Sequence, residues 1–283
     1  MTQSKETVKL MASPTKVLVT GVYGLIPGAV YRQLQSKPED YDVYGLARRR
    51  QASERAPRGS EPDIPEGKFF LADLADESAV EKAVSGMDVV VQMAADPRPD
   101  ASWKSLLNSN IIGAYNVLDA AVRCGVSRVV FASSIMISWG YQLDEPFKAL
   151  AEGRFDDLAK MEVHTVTHEW PHRPTGLYPA TKVWGEAVAR YCSDVHGLSV
   201  ICLRIGWVNA EDHPHKPESG AVWCSQRDVV QLVERSVCAP EDVKFDIFYG
   251  VSNNKHRWVD LDHAREVLGY IPQDGAEEAL ARS

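Results

Sequence analysis

The sequence predicts an α/β fold, a doubly wound parallel sheet carrying a small C-terminal portion, and three observations lead there. Short β-branched runs recur along the 283 residues, apolar almost throughout, which suits strands buried on both faces. Stretches of helical period separate them, and strand alternating with helix gives a parallel sheet covered on both sides. A glycine-bearing turn directly follows the first run, at the kind of strand-to-helix junction where such sheets bind ligands.

The strands are expected at residues 16–20, 41–47, 68–72, 88–94, 128–133 and 199–205, with helices at 28–35, 76–84, 106–124 and 179–196. Past Ile205 the order loosens to a helix at 225–237, a strand at 243–250 and a last helix, "DHAREVLGY", closed by Gly269 at a position favoured for a helix C-cap. Residues 1–14 read as a mobile tail, 15–205 as the cofactor-binding unit, and 206–283 as a small substrate-binding portion packed on it. Residues 48–67, rich in proline and charge, read as an exposed loop. Residues 140–177 read as a long irregular segment, and loops of that length in a compact domain usually line a site.

Composition narrows the function. A chain that is 45% hydrophobic and 25% charged is ordinary for a globular protein. The net charge of −8 argues against nucleic acid or an acidic membrane surface, since both demand a positive field. Five scattered cysteines without a CxxC pair indicate neither a disulfide framework nor a zinc ribbon, so a reducing cytoplasm is expected. No apolar run near the start reads as a signal peptide or anchor.

In "VLVTGVYGLIPGAV" Gly21 would make the tight turn and Gly24 would let the backbone approach a pyrophosphate, with Tyr23, Leu25 and Ile26 completing the loop and the first helical turn. Pro27 stands where a third glycine is usual. In a first turn its missing N–H costs no intrahelical bond, and Gly28 can supply the close packing one residue late. The second strand ends in "GLARRR". An acidic residue there would grip a ribose 2′-hydroxyl, whereas Arg48 fits a 2′-phosphate, tilting the reading from NAD toward NADP.

"LYPATKVWGEAVARY" sets Tyr178 and Lys182 four residues apart on one helix face. A phenol with a pKa of about 10 is a poor base at neutral pH, and a neighbouring ammonium favours its phenolate; lowering that pKa by ~3 units takes roughly 4 kcal/mol. "FASS" ends the preceding strand, placing Ser133 or Ser134 at the carboxyl edge of the sheet. His164, His168, His172, His213 and His215 show no metal-binding spacing and read as surface or loop histidines, so no metal is expected. Trp139, Trp207 and Trp223 read either as an apolar wall over a ligand or as core.

Together these motifs, with "TGVYG", "LADLAD", "MAAD", "NIIGAYNVLDAA" and "LRIG", resemble the extended branch of the short-chain dehydrogenase/reductase superfamily (the epimerase/dehydratase family) over residues 16–274. The resemblance implies a Rossmann-type sheet, Tyr178 as general acid/base, Lys182 as its partner and Ser134 as the hydroxyl orienting the substrate. It also implies adenine contacts from Asp73 and Leu74, and Ala94, Ala95 and Asn110 on the cofactor side. "ADPRPDASW", "SGAVWCSQRD" and "YGVSNNKHRWVDLDHAREVLGYIPQD" are most similar to sugar dehydrogenases acting at C1, the uronate dehydrogenases and the archaeal NAD-dependent glucose-6-phosphate dehydrogenase. That likeness implies oxidation of an aldose, uronate or sugar phosphate to a lactone, with Asp96, Ser133 and Arg204 on the substrate side. Arg204 is read as a fork for a carboxylate or phosphate, or as the partner of a structural acid. Two places depart from that group: Ile135 and Met136 stand where it has Asn-His, and Arg48 where it has an acid. A nucleotide-sugar epimerase or dehydratase retaining its NAD, and a non-catalytic cofactor sensor, are the rival readings. The helices at 106–124 and 179–196 are the pair through which such proteins form homodimers.

Overall fold

The structure is a computed structural model and describes residues 13–57, 59–98 and 100–282. Seven strands, β1 (Thr15–Thr20), β2 (Tyr41–Ala47), β3 (Phe69–Leu71), β4 (Val89–Gln92), β5 (Arg128–Ala132), β6 (Ser199–Ile205) and β7 (Phe245–Gly250), form one parallel sheet in the order β3-β2-β1-β4-β5-β6-β7. Alternate residues feed two cores. On β1, Val17 and Val19 face one layer and Leu18 the other; on β5, Val130 faces the first and Val129 and Phe131 the second. Burial on both faces explains why these runs carry no polar alternation.

The helices are α1 (Leu25–Gln35), α2 (Glu77–Val84), α3 (Trp103–Leu106), α4 (Gly113–Arg123), α5 (Phe147–Ala151), α6 (Phe155–Leu158), α7 (Leu177–His196), α8 (Pro217–Gly220), α9 (Gln226–Val237), α10 (Asp262–Leu268) and α11 (Ala276–Ala281). Capping sets several boundaries. Asp76 accepts from the Ala79 amide at 3.1 Å and Ser225 from the Asp228 amide at 3.1 Å, each satisfying an otherwise orphaned first-turn donor. Gly197 and Gly269 close α7 and α10 in the left-handed conformation.

Two expectations are corrected. Residues 140–177 are only partly irregular: a 3₁₀ helix spans Ile135–Leu143, and α5 and α6 follow it, because Phe147 and Leu150 find core partners that no periodic pattern announces. The helix expected at 106–124 is α3 and α4 joined through a π-helical turn, Leu107–Ile112. The stretch 206–283 donates β7, paired with β6 from Val200–Phe245 to Ile205–Gly250, so the sheet runs on into it.

From β1 the chain moves to β2 and β3 on one side and then jumps to β4 on the other. That reversal leaves a crevice beyond the carboxyl ends of β1 and β4, where ligands of open α/β sheets bind. Thr20 stitches it: its hydroxyl donates to Gln92 Oε1 at 2.5 Å and accepts from the amides of Met93 and Ala94, both at 3.0 Å. No helix among the described residues is long and apolar enough to cross a membrane.

Candidate active site

The glycine turn is built to leave backbone donors free. Gly21 sits at φ +70°, and a Cβ there would come within 3.0 Å of Ala94 Cα, so both its conformation and its neighbour exclude a side chain. Gly24 is the N-cap of α1 and offers no side-chain cap, which leaves the first-turn N–H groups for a ligand anion. Pro27 is the third residue of α1, inside the turn that loses nothing to a missing N–H. Gly28 follows it against the Val22 carbonyl, 3.1 Å from where a Cβ would stand. The proline therefore leaves the turn intact. Alanine at Gly21 is expected to weaken cofactor binding at least about tenfold and to lower Tm, since a left-handed φ and a backbone clash combine; titration with cofactor beside a melting curve checks both.

Arg48 and Asp73 close the β2–β3 side. Their guanidinium and carboxylate lie 3.7 Å apart with side chains 62% and 49% exposed, a weak and easily exchanged pair. Leu74 is buried behind Asp73, its carbonyl accepting from Asn116 at 2.8 Å. Tyr23 packs edge-on against Phe69, and Leu25 and Ile26 join the core beneath the turn. On the β4 side Ala94 and Ala95 are half-buried, and Asn110 holds the Asp96 backbone from both ends, accepting from its amide at 2.7 Å and donating to its carbonyl at 3.1 Å. The uncapped helix start and the side-chain-free Gly21 fit an anionic group such as a diphosphate.

Tyr178, Lys182 and Ser134 meet beside it. Ser134 is the N-cap of the 3₁₀ helix that follows β5, its hydroxyl accepting from the Met136 amide at 3.2 Å. It also lies near enough to the Tyr178 phenol to favour the phenolate. Burial raises the Tyr178 pKa, while Ser134 and the Arg55 charge pull against that rise. Lys182 is buried, donates to the Ala132 carbonyl at 2.7 Å and places its ammonium 5.8 Å from the Tyr178 ring centre. Burial lowers its pKa to about 8, so it stays largely cationic at neutral pH.

Three residues expected on the substrate side are engaged by protein instead. Arg204 is fully buried and forks onto Glu186, Nε to Oε1 at 3.0 Å and Nη2 to Oε2 at 2.9 Å, with Nη1 donating to Tyr249 at 3.0 Å. Ser133 donates to Glu186 Oε1 at 2.6 Å. Asp96 is buried with Arg98 clamped on both its oxygens, at 2.9 and 2.7 Å, which holds its carboxyl well below the usual range. Isolated charges cannot stay unpaired at such depth, so each takes a protein partner.

Two residues escape a reading of motifs. Glu186 lies one turn beyond Lys182 on α7 and answers both Arg204 and Ser133; the i, i+4 spacing was its only signal. Arg55 comes from the 48–67 loop, whose Ser53 amide bonds the Tyr23 carbonyl at 2.9 Å, and reaches across the mouth of the crevice to the Val208 carbonyl at 3.3 Å. Among the described residues no carboxylate pairs with Arg55, and no local pattern in the sequence marks it. His168 does meet Asp246 and His263, one ligand atom from each lying within 4.8 Å of the others. The two imidazoles stack at 4.4 Å and 17°, their ring planes nearly parallel. The trio reads as packing, with Asp246 bonded to His263 at 2.8 Å.

A reversing parallel sheet, an uncapped glycine turn and a tyrosine, lysine and serine at its carboxyl edge define an enzyme of the dinucleotide-dependent short-chain type. The chain belongs to the NAD dependent epimerase/dehydratase family, which matches residues 17–223. It is 35% identical over 267 residues to the NAD-dependent glucose-6-phosphate dehydrogenase of Haloferax volcanii, covering 93% of this chain and 94% of that one. It is 31% identical over 270 residues to the L-arabinose 1-dehydrogenase (NAD(P)(+)) of the same organism, covering 92% and 97%. Among solved structures, uronate dehydrogenase from Agrobacterium tumefaciens superposes with a TM-score of 0.75 at 28% identity, over 96% of this chain and 89% of that one. A variant of that enzyme complexed with NAD superposes with a TM-score of 0.74.

Proposed function

We propose that this enzyme oxidises a sugar at C1 to the lactone with NAD or NADP. The observation that carries the proposal is the meeting of Tyr178, Ser134 and Lys182 at the carboxyl end of β5. When bound, the nicotinamide supplies a hydride acceptor for the sugar carbon. Ser134 holds the reacting oxygen and Tyr178 removes its proton, while the cation on Lys182 favours the phenolate. Gly21, Tyr23, Gly24, Leu25 and Ile26 hold the diphosphate end, Asp73 and Leu74 the adenine, and Ala94, Ala95 and Asn110 the remainder. Residues 15–205 carry the cofactor and 206–283 cover the sugar. Incubation with aldoses, uronates and sugar phosphates should accumulate reduced cofactor; a product without net reduction would instead indicate epimerisation or dehydration with retained NAD.

Proton removal gives the pH sign. Burial raises the Tyr178 pKa, so kcat/KM for oxidation should climb from neutral toward alkaline pH. Below about 8 Lys182 carries its proton, and Lys182→Met should move that climb to higher pH because the charge favouring the phenolate is gone. A rate profile of both forms tests this.

Arg48 gives the cofactor preference: its exposed guanidinium is free to leave Asp73 for a 2′-phosphate. Arg48→Ser should lower kcat/KM for NADP by about tenfold or more and leave NAD within about twofold, a phosphate bond being worth roughly 1.5–3 kcal/mol. The five free thiols suit a reducing cytoplasm. Exposed Tyr115 on α4 and Tyr191 and Val195 on α7 support a homodimer through those helices, which light scattering would measure.

A further inference from the structure

The proposed reaction leaves one cation at the crevice without a task, Arg55. It stands on the loop from β2 to β3, which is tied down along its length. The Ser53 amide donates to the Tyr23 carbonyl at 2.9 Å, the Ala56 amide to the Ser53 carbonyl at 3.0 Å, and Gln35 on α1 to the Asp63 carbonyl at 2.9 Å. Ala56 and Ile64 pack against the core from the same loop. Arg55 is therefore presented from an anchored turn, which lowers the ordering cost of any ligand it meets.

Its bond to Val208 shows where the charge ends. Val208 follows β6, and β4 and β5 stand between β6 and β1, a span of about 14 Å at the usual strand spacing. The loop is pinned at Tyr23 over the glycine turn of β1, so Arg55 points away from the diphosphate end and toward the end where Ser134 follows β5. Its charge is felt at the Tyr178 phenol.

The bonding of this guanidinium is incomplete. It carries a fork of N–H donors, yet among the described residues Arg55 makes one bond, Nη2 to the Val208 carbonyl at 3.3 Å. A long bond to a neutral carbonyl is readily exchanged for one to a charged oxygen, since charge-assisted bonds are shorter and roughly twice as strong. Arg204 is spent on Glu186, Arg98 on Asp96, and Lys182 on the Ala132 carbonyl. We infer that Arg55 binds an anionic group on the sugar, a carboxylate or a phosphate, and so selects a uronate or sugar phosphate over the neutral aldose. This names the substrate class of the proposed C1 oxidation and rests on it.

Two measurements on the full-length enzyme test the inference. Reduction of NAD is followed with glucose, glucose 6-phosphate, glucuronate, galactose and galacturonate; at least one anionic sugar should exceed its neutral parent in kcat/KM by about tenfold or more. Arg55→Gln should cut that ratio about tenfold through KM, and Arg55→Lys should keep part of it, a point charge replacing the fork. The ratio divides out whatever Arg55 does for the phenolate, which acts on both sugars alike. Titration with NAD separates the two sources of anion: its Kd should stay within about twofold in Arg55→Gln, and a loss confined to NAD affinity would place the anion on the cofactor and overturn the inference. Neutral parents oxidised as well as every anionic sugar, or a preference that survives Arg55→Gln, would overturn it while leaving C1 oxidation standing. If no sugar is oxidised, C1 oxidation fails, and calorimetric titration of the NAD-loaded enzyme with glucose 6-phosphate and glucuronate decides: at least one should bind and weaken about tenfold in Arg55→Gln, and absent or unchanged binding overturns the inference.

Discussion

Tyr178→Phe should lower kcat about a thousandfold while changing cofactor affinity little, because it deletes the proton acceptor and keeps the ring. Phenylalanine fills the same half-buried space, and Ser134 keeps its bond from the Met136 amide, so the fold does not depend on the phenol oxygen. Ser134→Ala should cost less, about a hundredfold, since it removes a hydroxyl that favours the phenolate while leaving the base. Turnover measured at saturating sugar, alongside cofactor titration, separates the chemical step from binding. Retained turnover in Tyr178→Phe would remove the phenol from the reaction.

Glu186→Ala should be the most destabilising single change away from the substrate, by about 3–5 kcal/mol, lowering Tm by on the order of 10 °C. The loss follows from what stays behind: Arg204 has no exposed surface, and without Glu186 its cation would face only Tyr249 and a backbone carbonyl. Replacing the pair together by Glu186→Leu and Arg204→Met should recover much of the loss, as buried pairs gain little over well-packed apolar groups. Glu186 also sets an acid limit. Hydrogen bonds from His172, Arg204 and Ser133 outweigh its burial and lower its pKa from 4.5 to about 2. Its contribution is therefore fully present above the unfolded value and is lost as pH falls from about 4.5 toward 2. Melting curves across that window, with and without the substitution, should converge at the acid end.

The strands are legible in the sequence because a strand buried on both faces needs apolar residues at every position. β2 and β6 are accordingly bounded at the same residues in sequence and structure, 41–47 and 199–205. The glycine turn is equally local, since Gly21 must adopt a left-handed φ whatever surrounds it. Tyr178 and Lys182 are legible through helical spacing, and Ser134 through its place at a strand end. The 3₁₀ helix and α5 are not, because their side chains pack against partners far along the chain, as Tyr141 does against Trp170.

The sequence by itself determined the sheet, the glycine turn and the placing of the tyrosine, lysine and serine, each set by a period or a strand end within a few residues. Only the tertiary structure decided whom the charges serve. Arg204 looks free for a substrate anion until α7 brings Glu186 against it, and Arg55 looks like one more loop charge until that loop crosses the crevice to Val208. The reason is physical: backbone conformation answers to neighbours in the chain, whereas a charge answers to whatever lies within a few ångströms, and in a parallel sheet those neighbours come from distant helices and loops.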